Sequence, residues 1–197
     1  MGVAVMSAQR ERSNYIGSTL LPTVLSHTGS RRQLYVLDLG VGVGQTIEIV
    51  SAERPCQFFF ADIGRHVRSS YDGSAPGLLP FIVPNDIKFD ICFFWDYLNL
   101  MNDQALRQFA TEIDGYLGEQ TLVHGFLAAD QRLPMPYRQY KLYANDTIEH
   151  VNGDGFIARF PKSRRDFELA FPRLQCESVV LFPGNRQEIL AAVKVER

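Results

Sequence analysis

The chain has 197 residues, 46% of them hydrophobic and 21% charged, with a net charge of −2 and a pI of about 6.1. That length holds one well-cored domain and excludes two large ones, and the near-neutral balance argues against nucleic acid as an obligatory partner. No apolar run approaches a membrane span and no continuous apolar stretch opens the chain, so the expectation is no membrane partner and a cytoplasmic location.

Residues 1 to about 12 are small and polar. A short helix is expected from Ser13, carrying Tyr15, Ile16, Leu20 and Leu21, with Pro22 starting a second helical turn that points Val24 and Leu25 inward and ends near Gly29. Tyr35 to Val50, YVLDLGVGVGQTIEIV, then reads as a buried strand, an acid at Asp38, a turn built on Gly40, Gly42 and Gly44, and a helix from Gln45. Unbroken aliphatic residues suit a parallel strand covered on both faces, and the helix start aims free N–H groups back at the turn. After Pro55, Gln57-Phe-Phe-Phe-Ala-Asp62 is a second strand ending in an acid, about twenty residues beyond the glycines. Doubly wound folds place a ribose-binding carboxylate at that distance, because two adjacent parallel strands end side by side.

Residues 71–88 are rich in Gly, Pro, Ser and Asp and read as a loop around a short third strand, Leu78 to Val83. Phe89-Asp-Ile-Cys-Phe-Phe-Trp-Asp96-Tyr97 begins as a fourth buried strand. Asn102 caps a helix whose Leu106, Phe109, Ile113, Tyr116 and Leu117 form one apolar stripe, stopped at Gly118. Gln120 to Leu127 is a fifth strand and contains His124. Residues 128–162 form an insertion: an aromatic, basic, proline-pinned loop over 132–141, then strands Thr147 to Val151 and Phe156 to Phe160 flanking the turn Asn152-Gly-Asp-Gly155. Ser163 caps a last helix with Phe167, Leu169 and Phe171. Gln175 to Phe182 and Gln187 to Val195 are two strands whose short link, Pro183-Gly-Asn-Arg186, forces antiparallel pairing.

Cys56, Cys92 and Cys176 are odd in number and widely spaced, which fits a reducing compartment and offers no zinc spacing. No carboxylate or histidine cluster has ligand spacing, so no metal is expected.

An acid followed by G-x-G-x-G, here Asp38-Leu-Gly40-Val-Gly42-Val-Gly44, resembles the first motif of the class I S-adenosylmethionine-dependent methyltransferases. A dinucleotide turn wants G-x-G-x-x-G, and Gln45 stands where its third glycine would be. Asp62 at the second strand end, the F-D-φ-φ start of the fourth strand and the terminal hairpin extend the resemblance over about residues 34–127, and over 163–197 in outline. Many members carry Pro-Gly-Gly before the fifth strand, where this chain has Gly118-Glu-Gln.

The resemblance implies a single α/β domain over 1–197. Its core is a doubly wound, seven-stranded, mostly parallel sheet with helices on both faces and a C-terminal antiparallel hairpin, its seventh strand between the fifth and sixth. Residues 1–31 would form an N-terminal helical lid. It implies S-adenosylmethionine as cofactor, held by Asp38, Gly40, Gly42, Gly44, Asp62, Ile63, Asp86 and Trp95. The base candidates are Asp96, His124 and His150, and the substrate-side candidates are Tyr15, Tyr97, Tyr137, Arg138 and Tyr140, with Tyr143 beside them. The absence of an N/D-P-P-Y motif turns the expectation from nucleobase amines toward a small-molecule acceptor, methylated by in-line displacement. Two rivals stand beside this reading: a non-catalytic methyltransferase-like subunit that binds a partner, and a nicotinamide oxidoreductase. A homodimer is left open.

Overall fold

A computed structural model describes residues 14–26, 33–52, 54–69 and 83–194. Its main sheet has six strands: β2 (Leu34–Asp38), β3 (Cys56–Phe60), β4 (Phe89–Trp95), β5 (Leu117–Ala128), β8 (Leu174–Phe182) and β9 (Arg186–Val193). Their order is β3-β2-β4-β5-β9-β8. The β2/β3, β2/β4 and β4/β5 pairs are parallel, and β9 runs antiparallel to both β5 and β8. The expected C-terminal hairpin is therefore present, with its last strand inserted between its neighbours. The expected third strand, Leu78 to Val83, falls almost wholly outside the described residues, so the sheet is six-stranded as described, where seven strands were expected.

Two crossovers start from the centre of this sheet and run in opposite directions. One is β2–α2 (Gly44–Ser51)–β3, and the other is β4–α4 (Asp103–Asp114)–β5. Right-handed connections then put α2 and α4 on opposite faces, and the β2/β4 pair becomes the topological switch point. The centre is dry: every residue of β4 is buried, as are Val36, Leu37 and Leu39. Asp90 ties the centre together, accepting the Tyr35 N–H on Oδ2 at 2.8 Å.

The helix caps follow the sequence at both starts. Asn102 accepts the Ala105 N–H at 2.8 Å, and Ser163 forms a capping box with Asp166 ahead of α5 (Arg164–Ala170). The end of α4 differs from expectation. Gly115 closes the helix, Gly118 lies inside β5, and Tyr116 and Leu117 belong to the connection and the strand. Of the apolar residues expected on the last helix, Phe167 is buried and Leu169 is 71% exposed.

The insertion after β5 is more regular than expected. Residues 132–135 are loop as expected, but from Pro136 the chain is strand: β6 (Pro136–Ala144) and β7 (Thr147–Ile157) form one long antiparallel hairpin, turned by Asn145 and Asp146. Residues 152–155 continue strand β7 instead of turning. Asn and Asp are themselves good tight-turn residues, so two candidate turns competed and the nearer one won. A third strand joins this small sheet. Asn14–Gly17, expected as helix, is β1, with Ile16 paired to Ile148 of β7. Its backbone groups are satisfied by the hairpin edge, which a four-residue helical turn could not achieve alone. The expected helical turn at Pro22 is present as α1 (Leu21–Leu25). The first thirteen residues of the expected lid lie outside the described residues.

Candidate functional site

The carboxyl ends of β2, β3 and β4 meet at one edge of the sheet. Asp38 ends β2, and the glycine turn leads from it to α2, which begins at Gly44 with Val43 as its extended N-cap. The chain leaving β3 is stitched to this turn: Asp62 N–H donates to Gly40 O at 3.3 Å, and Ile63 N–H donates to Leu39 O at 2.9 Å. Asp38 and Asp62 are thus held on either side of the turn, and Ile63, buried, opens the helix α3 (Ile63–Ser69) beside them.

The backbone is strained at this edge. Asp62 has φ of 41° and Trp95, at the end of β4, has φ of 46°, a region that non-glycine residues avoid. The third such residue, Asn185, sits in an ordinary hairpin turn. Strained residues that flank a glycine turn at adjacent strand ends are a mark of a functional site.

Asp38 is buried, and its Oδ1 accepts two N–H donors at 2.7 Å, the Gly40 backbone and the Trp95 indole. The Trp95 bond spans the switch point between β2 and β4. Burial drives the Asp38 carboxyl up to about 7, against the lowering effect of those two donors. A side chain at Gly40 would start 3.0 Å from Asp38 Oδ1 and 3.2 Å from the Tyr97 hydroxyl. One at Gly64 would start 2.6 Å from the Tyr137 hydroxyl and 2.7 Å from the Tyr97 ring. Both positions admit only glycine without movement, and Tyr97 and Tyr137, both buried, fill the space between the turn and α3.

The insertion folds back over this edge. Leu142 N–H donates to Thr46 Oγ1 at 3.1 Å, which ties β6 to the first turn of α2. Tyr140 stacks on Trp95 with ring centres 5.4 Å apart and planes 6° apart. Its hydroxyl donates to Asp96 Oδ2 at 2.8 Å.

Asp96 follows Trp95 and is buried. Its Oδ2 also accepts Arg186 Nη2 at 2.7 Å and Nε at 3.3 Å. Arg186 opens β9, is 0% exposed, and donates further to Gly184 O and Pro136 O. Burial raises the Asp96 carboxyl, partly offset by Arg186. Asp96 Oδ1 is buried and has no hydrogen-bond partner. Arg138 lies next to Arg186, and its guanidinium is pushed down by burial and by that second cation. His150 pairs with Tyr140 across the hairpin and is held down to about 4 by burial, Arg138 and Arg186, so it is neutral at pH 7.

The structure therefore brings together Asp38, Gly40, Asp62, Ile63, Trp95, Asp96, Tyr97, Tyr137, Arg138, Tyr140 and His150. It separates others. His124 is wholly buried within β5, with Nε2 2.7 Å from Glu188 Oε1, and the same carboxylate oxygen accepts the Ser18 hydroxyl. That network pins the segment before α1 to the sheet and presents no histidine nitrogen to solvent. Asp86 is exposed three residues before β4 begins, at the amino edge of a strand that rises about 3.3 Å per residue, so it faces the wrong end of the sheet for the expected cofactor contact. Tyr15 is 44% exposed on β1 and packs on Tyr143 with ring centres 4.3 Å apart, on the hairpin instead of a helical lid. Among the described residues no group of three or more His, Cys, Asp or Glu side chains could hold a metal ion, and no helix is long and apolar enough to cross a membrane. Arg186 was missed by sequence reasoning. Its only signal was a basic residue directly after a Pro-Gly-Asn turn.

No protein-family model matches the chain, and no curated protein is similar to it in sequence. Solved structures do align with it. A glycopeptide N-methyltransferase, MtfA, complexed with S-adenosylmethionine is 13% identical, with 90% of this chain and 94% of that one covered and a TM-score of 0.49. Structures of that enzyme with S-adenosylhomocysteine and with sinefungin align as well. An S-adenosylmethionine-dependent methyltransferase from Clostridium acetobutylicum is 12% identical, with 83% and 85% covered and a TM-score of 0.45.

Proposed function

We propose that this protein is an S-adenosylmethionine-dependent methyltransferase acting on a small-molecule acceptor. The observation that supports it is the juxtaposition of the Asp38 glycine turn with Asp62, joined through the Asp62–Gly40 backbone bond at the switch point of the sheet. Ligands of open α/β sheets bind in the crevice at that point. The groups present fit the cofactor chemically. Asp38 offers a carboxylate for its ammonium, Asp62 offers hydrogen-bond acceptors for ribose hydroxyls, and the glycines allow close backbone approach. The cofactor would supply an already activated methyl group, so the protein's task is alignment and proton removal.

Alignment falls to the aromatic wall of Trp95 and Tyr140, which stays rigid because both rings are stacked and hydrogen-bonded. Proton removal falls to Asp96. Its unpartnered Oδ1 is a free acceptor for an O–H or N–H proton, and burial makes it more basic than an ordinary carboxylate. Asp96 Oδ1 would take the proton that the acceptor's O–H or N–H gives up on methylation.

A specific observation favours a second reading, a non-catalytic methyltransferase-like subunit. Tyr97 lies against both Gly40 and Gly64, and Tyr137 lies against Gly64, so side chains already fill space where a cofactor would approach these glycines. Binding with transfer to an acceptor supports the first reading. Binding without transfer to any acceptor supports the second, and absence of binding removes the first and also favours the second.

A further inference from the structure

The Asp96 cluster carries more positive charge than the reaction above requires. The geometry points to a site for the carboxylate of a small acceptor that also bears an amine or hydroxyl, formed by Arg138, Arg186 and His150. This deepens the methyltransferase reading, since it names the class of acceptor and rests on that reading for the word acceptor.

Charge and distance carry the inference. Arg138 Nη2 and Arg186 Nη1 lie 2.7 and 3.1 Å from one point, the position a Cβ would take on Gly184. Two guanidinium groups are therefore held within about 6 Å of each other, which is costly without a counter-charge. Among the described residues Asp96 is the one carboxylate acting on either of them, and it is bonded to Arg186. Counted over the described residues, the cluster keeps one uncompensated positive charge, on the Arg138 side.

Unused hydrogen-bonding capacity points the same way. Arg138 Nε and His150 Nδ1 are buried without a partner, and so is Asp96 Oδ1. Orphaned buried groups are rare because each costs free energy. Two of the three can donate, and one accepts. A carboxylate taking Arg138 Nε–H and His150 Nδ1–H, with an O–H or N–H turned to Asp96 Oδ1, would satisfy all three. A dianionic phosphate fits less well, because one uncompensated charge meets one negative charge and Asp96 repels a second. Arg138 is only half-buried while Arg186 is wholly buried, so the opening lies on the Arg138 side. Register supports a shared face: Arg138 and Tyr140 are two residues apart on β6, and His150 stands opposite Tyr140.

The position suits an acceptor. Arg186 opens β9, which runs antiparallel to β5, so it lies at the same sheet edge as Asp38 and Asp62 but on the far side of Trp95. The turn that would hold the cofactor and the cationic cluster are thus on opposite sides of the one tryptophan in the chain.

That tryptophan supplies the test. Trp95 stacks on Tyr140, which bonds Asp96, so its fluorescence reports on the cluster without cofactor or turnover. The full-length protein is titrated with benzoate, with the isosteric neutral benzamide and with inorganic phosphate. The expected result is a saturable change with benzoate, at least tenfold weaker binding of benzamide and phosphate, and at least tenfold weaker benzoate binding in Arg138→Gln at an unfolding midpoint no lower than that of the wild type. Equal response to benzoate and benzamide, tighter binding of phosphate, or wild-type benzoate affinity in a folded Arg138→Gln would overturn the site. The benzoate and benzamide comparison uses wild-type protein, so it decides even where the variant does not fold. Benzoate binding does not depend on the cofactor, so a separate titration with S-adenosylmethionine shows whether the methyltransferase reading itself has failed.

Discussion

Asp38→Asn should change how stability depends on pH in a way that no surface carboxylate could. In the folded protein the Asp38 carboxyl is raised from 3.8 to about 7, with burial as the dominant cause. A raised acid stabilises the fold while protonated. That contribution is complete below the unfolded value and is lost as pH rises toward the folded one. The full span corresponds to about 4 kcal/mol at 1.36 kcal/mol per unit. Between pH 4.5 and 7.5 the portion lost is about 3 kcal/mol. Asparagine keeps an oxygen for the Gly40 and Trp95 donors and carries no titrating charge, so the variant should lack this loss. His150, depressed to about 4, works in the opposite direction, because its contribution is lost as pH falls. It is present in both proteins and cancels in the comparison. The assay is urea unfolding of both proteins from pH 4.5 to 7.5, followed by Trp95 fluorescence. Stability of the wild type relative to the variant should fall by about 3 kcal/mol as pH rises across that range. A difference constant to within about 0.5 kcal/mol would refute the buried-carboxylate account of Asp38.

Asp62→Ala should weaken S-adenosylmethionine binding more than tenfold by calorimetry, and unchanged affinity would remove Asp62 from the ribose role. Asp96→Asn leaves Arg186 buried without its charge partner, which should cost about 3–5 kcal/mol in urea unfolding. In the protein that remains folded, methyl transfer should slow by about a hundredfold or more, the usual scale of a lost general base, while cofactor affinity stays within about twofold. A wild-type transfer rate would take Asp96 out of the chemistry.

The parts of this molecule that were legible in the sequence are those set by short-range pattern. The strand, acid and glycine turn at 35–44 announce themselves because each residue type does its work next to its neighbours, and the Asn102 and Ser163 caps do the same. The closing hairpin is forced by its short link. What could not be read depends on contacts between distant residues. Arg186 and Asp96 are 90 positions apart and Trp95 and Asp38 are 57 apart, so nothing local marks either pair. His124 looks like a base by residue type, yet it is committed to Glu188, which only pairing of β5 with β9 reveals. The insertion was misread because two turn-forming stretches lie seven residues apart and local preference does not rank them. Tyr15 was misread because the edge it pairs with lies in that same insertion. Asp86 lies in the run leading into β4, and only the sheet shows that this run is at the opposite edge from the glycine turn.

The central claim is that the Asp38 turn and Asp62 form a cofactor site that Tyr97 and Tyr137 yield to an entering ligand. Calorimetric titration of the purified, folded protein with S-adenosylmethionine and S-adenosylhomocysteine tests it directly. The account predicts saturable binding of both, with dissociation constants in the micromolar range. Absence of binding by either, with the protein shown to be folded, would contradict it.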